Sequence, residues 1–460
     1  MTFNKSPKGG YLIILIIVFG AIFFGMIASF MGYVIIQKTV QDAKRNEERA
    51  LAIAEAGLNY YKWYLAHNPG DTTHGTTTPQ PFVIPYNDPE GGAIGEYSLT
   101  VTGNTSCDEV MSIDINSTGY TYDDPDKKRS LYARYAQPTV AEYAYIIDAD
   151  VWAGADRTII GPYHSNGIIR MDGTNNSTVS SGQENWTCNN SQLNCDPPYN
   201  EGDTLDAVFG SGPNSSLWQV AVPPIDFVGL TLDLSAMQTK ADTGGGRLFG
   251  DTGARGYHVY IQNTNIASVY QVNSVDDDHR ITSESWVGDY SIPVDCPLLF
   301  FEDKVWLEGD LGTKMTIVAA KVGDSEDPSI ILQDNITYAN DDSGLLAVAE
   351  DDILIGIDVP EDMTVNGIFM AQGGKFGREN YSVSEVGSTH YKKDSLTING
   401  TIFSKERVGT KWTNTATGEF VSGFETRYNS YDRDLVDDPP PLTPETSAEY
   451  RFIEWREVED

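Results

Sequence analysis

Residues 11–36 read YLIILIIVFGAIFFGMIASFMGYVII, a run of 26 residues without one charged side chain. As a helix rising 1.5 Å per residue it is about 39 Å long, more than the ~30 Å hydrocarbon core of a bilayer. A helix that is apolar all round has to be covered, by lipid or by protein. Core helices of that kind are usually shorter. The run therefore predicts a transmembrane helix at 11–36, and the remaining chain is the body it carries. That body is strongly acidic: 31 Lys and Arg stand against 66 Asp and Glu, a net charge of −35. Such a surface repels phosphate backbones, so nucleic acid is excluded as a partner.

The ten residues before the run, MTFNKSPKGG, carry Lys5 and Lys8 and end in a glycine pair, which reads as a leader over 1–10. A secretory signal would have a shorter apolar region followed by a small-x-small cleavage site. Here the chain continues through residues 37–49 with neither Pro nor Gly to stop a helix. Leu51, Ala54, Leu58, Tyr61 and Leu65 then recur every three or four residues, so one face is apolar until Asn68-Pro69-Gly70. The expectation is one helix of about 55 residues, lipid-embedded at first and amphipathic over 37–68.

The basic leader ending in Gly, the apolar helix and the stretch ALAIAEAGLNYYKWYL (50–65) resemble type IV pilin-like proteins. Among these, the chain is most similar to the PilX-like minor pilins, which carry an A-x-x-A-E-A-G/A motif after the span. The matching residues are Ile53, Ala54, Glu55, Ala56, Gly57 and Leu58, and the resemblance covers roughly residues 1–136. It implies processing between Gly10 and Tyr11. It also implies helix packing against other pilin-like subunits through the span and Ala54-Glu55-Ala56-Gly57, with Glu55 able to pair with a neighbour's basic group. Major pilins place a Glu five residues after the cleaved Gly, whereas this chain has Leu15. K-type pseudopilins, which sit at a filament tip, share that departure.

Three alternating segments follow, at 95–102, 110–117 and 130–136, divided by turn residues at Gly103-Asn104 and 123–126. They predict a small antiparallel, pilin-like sheet within 69–136. From 137 to 460 the chain reads as mainly β. Apolar runs recur about every twenty residues, as in LLFFEDKVWLEGDLGTKMTIVAA and LLAVAEDDILIGIDVPEDMTVNGIFMAQ. One coil of a β-solenoid has that length, and an irregular β-sandwich is the alternative. One short helical face is formed by Phe227, Leu230, Leu234 and Met237. Residues 174–217, rich in Asn, Ser, Gly and Pro, read as a surface-loop insertion holding a candidate disulfide, Cys188 with Cys195. The pairing of Cys107 and Cys296 stays open. The segment DDPPPLTPE is irregular, and a last strand is expected near 450–458. The fold class is α+β: a long helix, a small sheet and a solenoid-like distal body.

The motif Gly161-Pro162-Tyr163-His164-Ser165-Asn166-Gly167 is the most distinctive local signal. A catalytic His164 would need a nucleophile or a carboxylate nearby, such as Asp148, Asp150 or Asp156. The plainer reading is a turn with Asn166-Gly167 at positive φ and His164 bonding backbone. Acidic groups at 276–278, 341–342, 350–352 and 437–438 could hold Ca²⁺ but lack an alternating ligand pattern, so no cofactor is expected. The function expected is that of a non-enzymatic cell-surface protein, single-pass with an external carboxy-terminal body, serving pilus assembly or adhesion and sited in the membrane or at a pilus tip. Its partners would be the membrane, other pilin-like subunits and an unidentified extracellular ligand. The alternatives are a membrane-anchored solenoid enzyme acting on carbohydrate and a K-type pseudopilin.

Overall fold

The computed structural model describes residues 10–458 except 90, 191–192, 196–197, 277–278, 324–327, 383–389 and 415–416. The leader residues 1–9 and Asp277 and Asp278 lie outside the described residues. The class is α+β, with one long apolar helix and a mostly β body. Two compact units divide the chain. The first takes residues up to Thr102, Ile113–Tyr135 and the chain from Phe452; the second takes Gly103–Ser112 and Ala136–Arg451.

In the first unit, α1 runs unbroken over Gly10–His67, a rod of about 87 Å at helical rise. Residues 11–41 are exposed all round, and burial begins at Asn46. The buried stripe is Ala50, Ile53, Ala54, Gly57, Leu58, Tyr61 and Leu65, with Leu51 only at its margin. The stripe packs on a sheet ordered β1 (Phe82–Asp88), β2 (Gly92–Ser106), β3 (Glu109–Thr121), β4 (Asp124–Ala136) and the carboxy-terminal strand Arg451–Val458. Two features differ from the expectation. β1 was not legible in the sequence, and the last strand joins this sheet beside β4 rather than the distal body, so the distal body does not extend over 137–460. The turns also move. β2 continues through Gly103-Asn104 and reverses at Cys107-Asp108, where φ values of 53° and 62° make the tight twist that a two-residue hairpin needs. The next reversal is Tyr122-Asp123, so Asp124, Pro125 and Asp126 already belong to β4.

The second unit is built from parallel ladders. In one column, Arg247–Phe249, Leu298–Phe301, Lys314–Ala319, Gly344–Ala349 and the ends of Asp362–Ala371 and Lys392–Ser404 pair in parallel. The same column continues through Tyr145–Ile147, Tyr163–Ser165, Val179–Ser181 and Trp218–Gln219. The first strands of the unit thus stack on its last. Where the column follows chain order, partners lie from 16 residues apart, Tyr163 to Val179, to 52, Leu248 to Phe300, so the sequence spacing is irregular because loops of unequal length separate the rungs.

Successive residues of these strands face opposite sides, and both sides are buried. Leu299, Ile317, Ala347, Phe369, Ile402, Tyr145 and Tyr163 enter one core. Leu298, Phe300, Val318, Val348, Met370, Phe403 and Ile146 enter a second. Strands covered on both faces read as continuous apolar runs such as LLFF and GLLAVA. The second core is closed by helices Phe227–Leu230 and Leu234–Asp242, each capped by an aspartate, Asp226 and Asp233. The single helical face read across Phe227 to Met237 is therefore two helices, interrupted at Thr231-Leu232-Asp233.

Residues 174–217 are not a simple loop. Thr174–Asn175 and Val179–Ser181 are rungs, Asn185–Thr187 pairs antiparallel with Thr204–Asp206, and Val208–Phe209 pairs with Ile169–Met171. Cys188 is bonded to Cys195, and Cys107, at the β2–β3 tip, to Cys296.

Candidate functional site

The first half of α1 offers an uncharged apolar surface on every side: Tyr11, Ile17, Phe23, Phe30 and Ile36 are each more than 60% exposed. Burying one such side chain contributes about 1.5–3 kcal/mol, so the described residues leave a large driving force unused here. The helix is long and apolar enough to cross a bilayer, by length and composition.

Beyond it, the motif residues divide between two faces. Ala54 and Gly57 point into the sheet, while Glu55 is exposed and Ala56 half-buried. The approach is close because both surfaces lack side chains. A Cβ on Gly119 would sit 2.3 Å from the Ala50 carbonyl oxygen and 2.4 Å from the Ala54 nitrogen. One on Gly57 would sit 2.3 Å from Ser117 Oγ and 2.9 Å from Tyr97 Cδ2, and one on Gly95 would meet Ile53 Cδ1 at 2.7 Å. The Tyr135 hydroxyl donates to the Leu58 carbonyl at 3.0 Å and fastens β4 to the same stripe. The small residues of the motif thus serve the chain's own sheet. Sequence reasoning misses Gly95 and Gly119, although a glycine at an inward position of an alternating strand signals close backbone approach.

At the carboxy-terminal end of α1, the Asp71 carboxylate accepts from the Tyr64 hydroxyl, from Thr73 N and Oγ1 at 2.7 Å each, and from Gly75 N at 3.0 Å. The Tyr64 bond, with these others, pulls the Asp71 pKa down to about 2.

In the distal body, His164 is buried and bonds side chains rather than backbone, Ser180 Oγ and Asn166 Oδ1 at 3.0 Å each. The positive φ near this motif is at Gly161, 117°, not at Asn166-Gly167, and Tyr163–Ser165 is a strand. No proposed carboxylate touches His164. Asp148 takes Asn166 Nδ2 at 2.8 Å and pairs with Lys405, Asp150 takes the Ile168 N–H, and Asp156 binds Arg427. Of the acidic groups weighed for Ca²⁺, Glu350 accepts Lys321 N, Asp352 accepts Lys375 N and Asp438 pairs with Lys314. Among the described residues no three His, Cys, Asp or Glu side chains converge as a metal site.

No protein-family model matches the chain, and no curated protein matches it. Among solved structures the chain is similar to the competence-associated pilin ComZ from Thermus thermophilus, at 14% identity over 90% of this chain and 97% of that one, with a TM-score of 0.33. A score that low does not establish a shared fold.

Proposed function

We propose that this chain is a membrane-anchored, pilin-like surface protein. Residues 11–36 sit in the bilayer, or among the helices of other pilin-like subunits after assembly, and hold the distal body outside the cell. One observation carries the reading: a helix unbroken from Gly10 to His67 is exposed and uncharged over its first half and buried on one side over its second. Lipid or neighbouring helices are what such a surface accepts. Disulfides at all four cysteines fit an external, oxidising compartment.

The finer assignments belong to the same proposal. The chain is a PilX-type minor pilin whose leader is removed between Gly10 and Tyr11. Exposed Glu55 pairs with a basic group of a neighbouring subunit. The parallel columns of the distal body wind as coils of a β-solenoid, a reading supported by the in-register parallel pairing from Arg247–Phe249 through Val179–Ser181. That body serves adhesion to an extracellular ligand, and the anchoring itself is non-covalent. Leu15, where a shaft pilin carries Glu, favours the K-type pseudopilin position at a filament tip as the second reading. Mass spectrometry of filaments sheared from cells expressing the chain tests this. Recovery of the protein there with Tyr11 as its first residue supports the reading; retention of Met1 and absence from filaments overturns it.

A further inference from the structure

The side-chain column that builds the second core of the distal body ends in polar side chains. Past Ile146, the last apolar member, the next three rungs bring His164, Ser180 and Gln219 into register. All three line a cleft of about 310 Å³ whose walls include Tyr143, Val222 and Glu142. Ser180 Oγ lies 3.0 Å from His164 Nδ1, and His164 Nε2 lies 3.0 Å from Asn166 Oδ1.

The tautomer follows from Asn166. Its Oδ1 accepts the Ile225 N–H at 2.9 Å and its Nδ2 donates to the Ile225 carbonyl at 2.8 Å and to Asp148 at 2.8 Å. The amide cannot be turned over without breaking all three. Its oxygen therefore faces His164, which has to present Nε2–H, and Nδ1 is left with a lone pair aimed at the Ser180 hydroxyl.

We propose that Ser180, His164 and Asn166 form a nucleophilic site that hydrolyses uncharged esters of short-chain carboxylic acids. The roles are those of any nucleophile–base–orienter set, recognised by geometry rather than chain order. Ser180 Oγ attacks the acyl carbon while its proton passes to His164 Nδ1, and Gln219, next in the column, offers its amide N–H to the oxyanion. The ester C–O bond breaks, the alcohol leaves with the proton from Nδ1, and the acyl group stays on Ser180. Water then attacks the acyl carbon, gives its proton to Nδ1, and the acid departs as Oγ recovers that proton. Burial holds the His164 pKa below its ordinary value, so the imidazole is neutral and able to accept a proton at pH 7. The apolar wall and the cleft's volume suit a short acyl chain, and Glu142 together with the net charge of −35 disfavours anionic substrates. This chemistry goes beyond the anchoring role, which neither requires nor forbids it, and it replaces the turn-only expectation for the His164 motif.

The test uses the full chain in detergent with an alkyl fluorophosphonate, which forms an Oγ–P bond with loss of fluoride, and with p-nitrophenyl acetate. The site predicts an adduct on the Ser180 peptide and ester hydrolysis that falls at least ~100-fold in Ser180→Ala and in His164→Gln. Asn166→Asp should move the pH midpoint of Ser180 labelling upward, which loss of a merely structural bond would not do. The other ionisable groups around the imidazole are Glu142, paired with Arg451, Tyr143, and Asp148, paired with Lys405 behind Asn166. Absence of any Ser180 adduct on the unaltered protein, or equal hydrolysis by Ser180→Ala, overturns the assignment.

Discussion

Gly119→Ala tests whether the close seating of α1 on its sheet depends on missing side chains. The added Cβ would meet the Ala50 oxygen at 2.3 Å and the Ala54 nitrogen at 2.4 Å, directly over the helical hydrogen bond between those groups. Both are backbone atoms, so no rotamer change relieves the clash, and helix and strand have to separate. Overpacking of this kind costs about 3 kcal/mol or more at the unfavourable end. Alanine returns about 0.5–1 kcal/mol of the strand entropy that glycine loses. The net destabilisation is about 2 kcal/mol or more, roughly a 30-fold change in a local opening equilibrium. Gly57→Ala is milder. Its clash falls on the rotatable Ser117 hydroxyl and the Tyr97 ring, and alanine's helix propensity offsets about 0.8–1 kcal/mol. Because the chain has two units, a single melting temperature does not isolate this interface. Hydrogen exchange by mass spectrometry on peptides covering 50–58 and 113–121 does. Gly119→Ala should accelerate exchange there about 30-fold and Gly57→Ala by less. Unchanged exchange in Gly119→Ala would refute the close-approach argument.

Asp71, with its pKa depressed to about 2, stabilises the turn over 71–75 fully above about pH 4 and loses that contribution as pH falls toward 2; amide exchange of Thr73 and Gly75 followed from pH 5 to 2 should show protection lost over that window. His258 sits between Glu284 Oε2 at 2.8 Å and Glu308 Oε1 at 3.0 Å; burial lowers its pKa, but the two carboxylates outweigh this and raise it. Its stabilisation is therefore complete below about pH 6 and lost as pH rises through the folded value, and an NMR titration should find the midpoint above 6.5 and lower in Glu308→Gln. Asp156 accepts Arg427 Nε and Nη2 at 2.8 and 2.9 Å and lies 3.4 Å from Lys411. Asp156→Asn leaves a buried guanidinium without its counter-charge, a loss of about 3–5 kcal/mol, which should appear as faster exchange in Phe420–Ser430 and Arg157–Ile160.

The long helix was legible because its two halves obey one rule each, all-apolar and then apolar every three to four residues. The distal ladders were legible only in part. Strands such as Leu298–Phe301 are buried on both faces and carry no alternation, and the unequal loops between rungs blur the repeat. Residues 174–217 look like a loop by composition because polar residues there, Asn175 and Ser181 among them, are buried inside rungs. The carboxy-terminal strand joins a sheet made hundreds of residues earlier, and local pattern contains nothing about such a partner. The Cys107–Cys296 bond spans 189 residues and is equally invisible locally. At the helix motif, spacing puts Ala54 on the apolar face and the resemblance adds Gly57, but their packing against Gly119 and Ser117 needed the fold. The Ser180 contact to His164 joins neighbouring rungs 16 residues apart, a spacing that becomes meaningful only once the register is known.

The anchoring role proposed for this chain requires that residues 11–36 lie in a lipid bilayer. Alkaline carbonate extraction of membranes from cells expressing the full chain measures this directly. A helix that spans the bilayer keeps the protein in the membrane pellet, to be released only by detergent. Recovery in the carbonate supernatant, as for a peripheral protein, would contradict it.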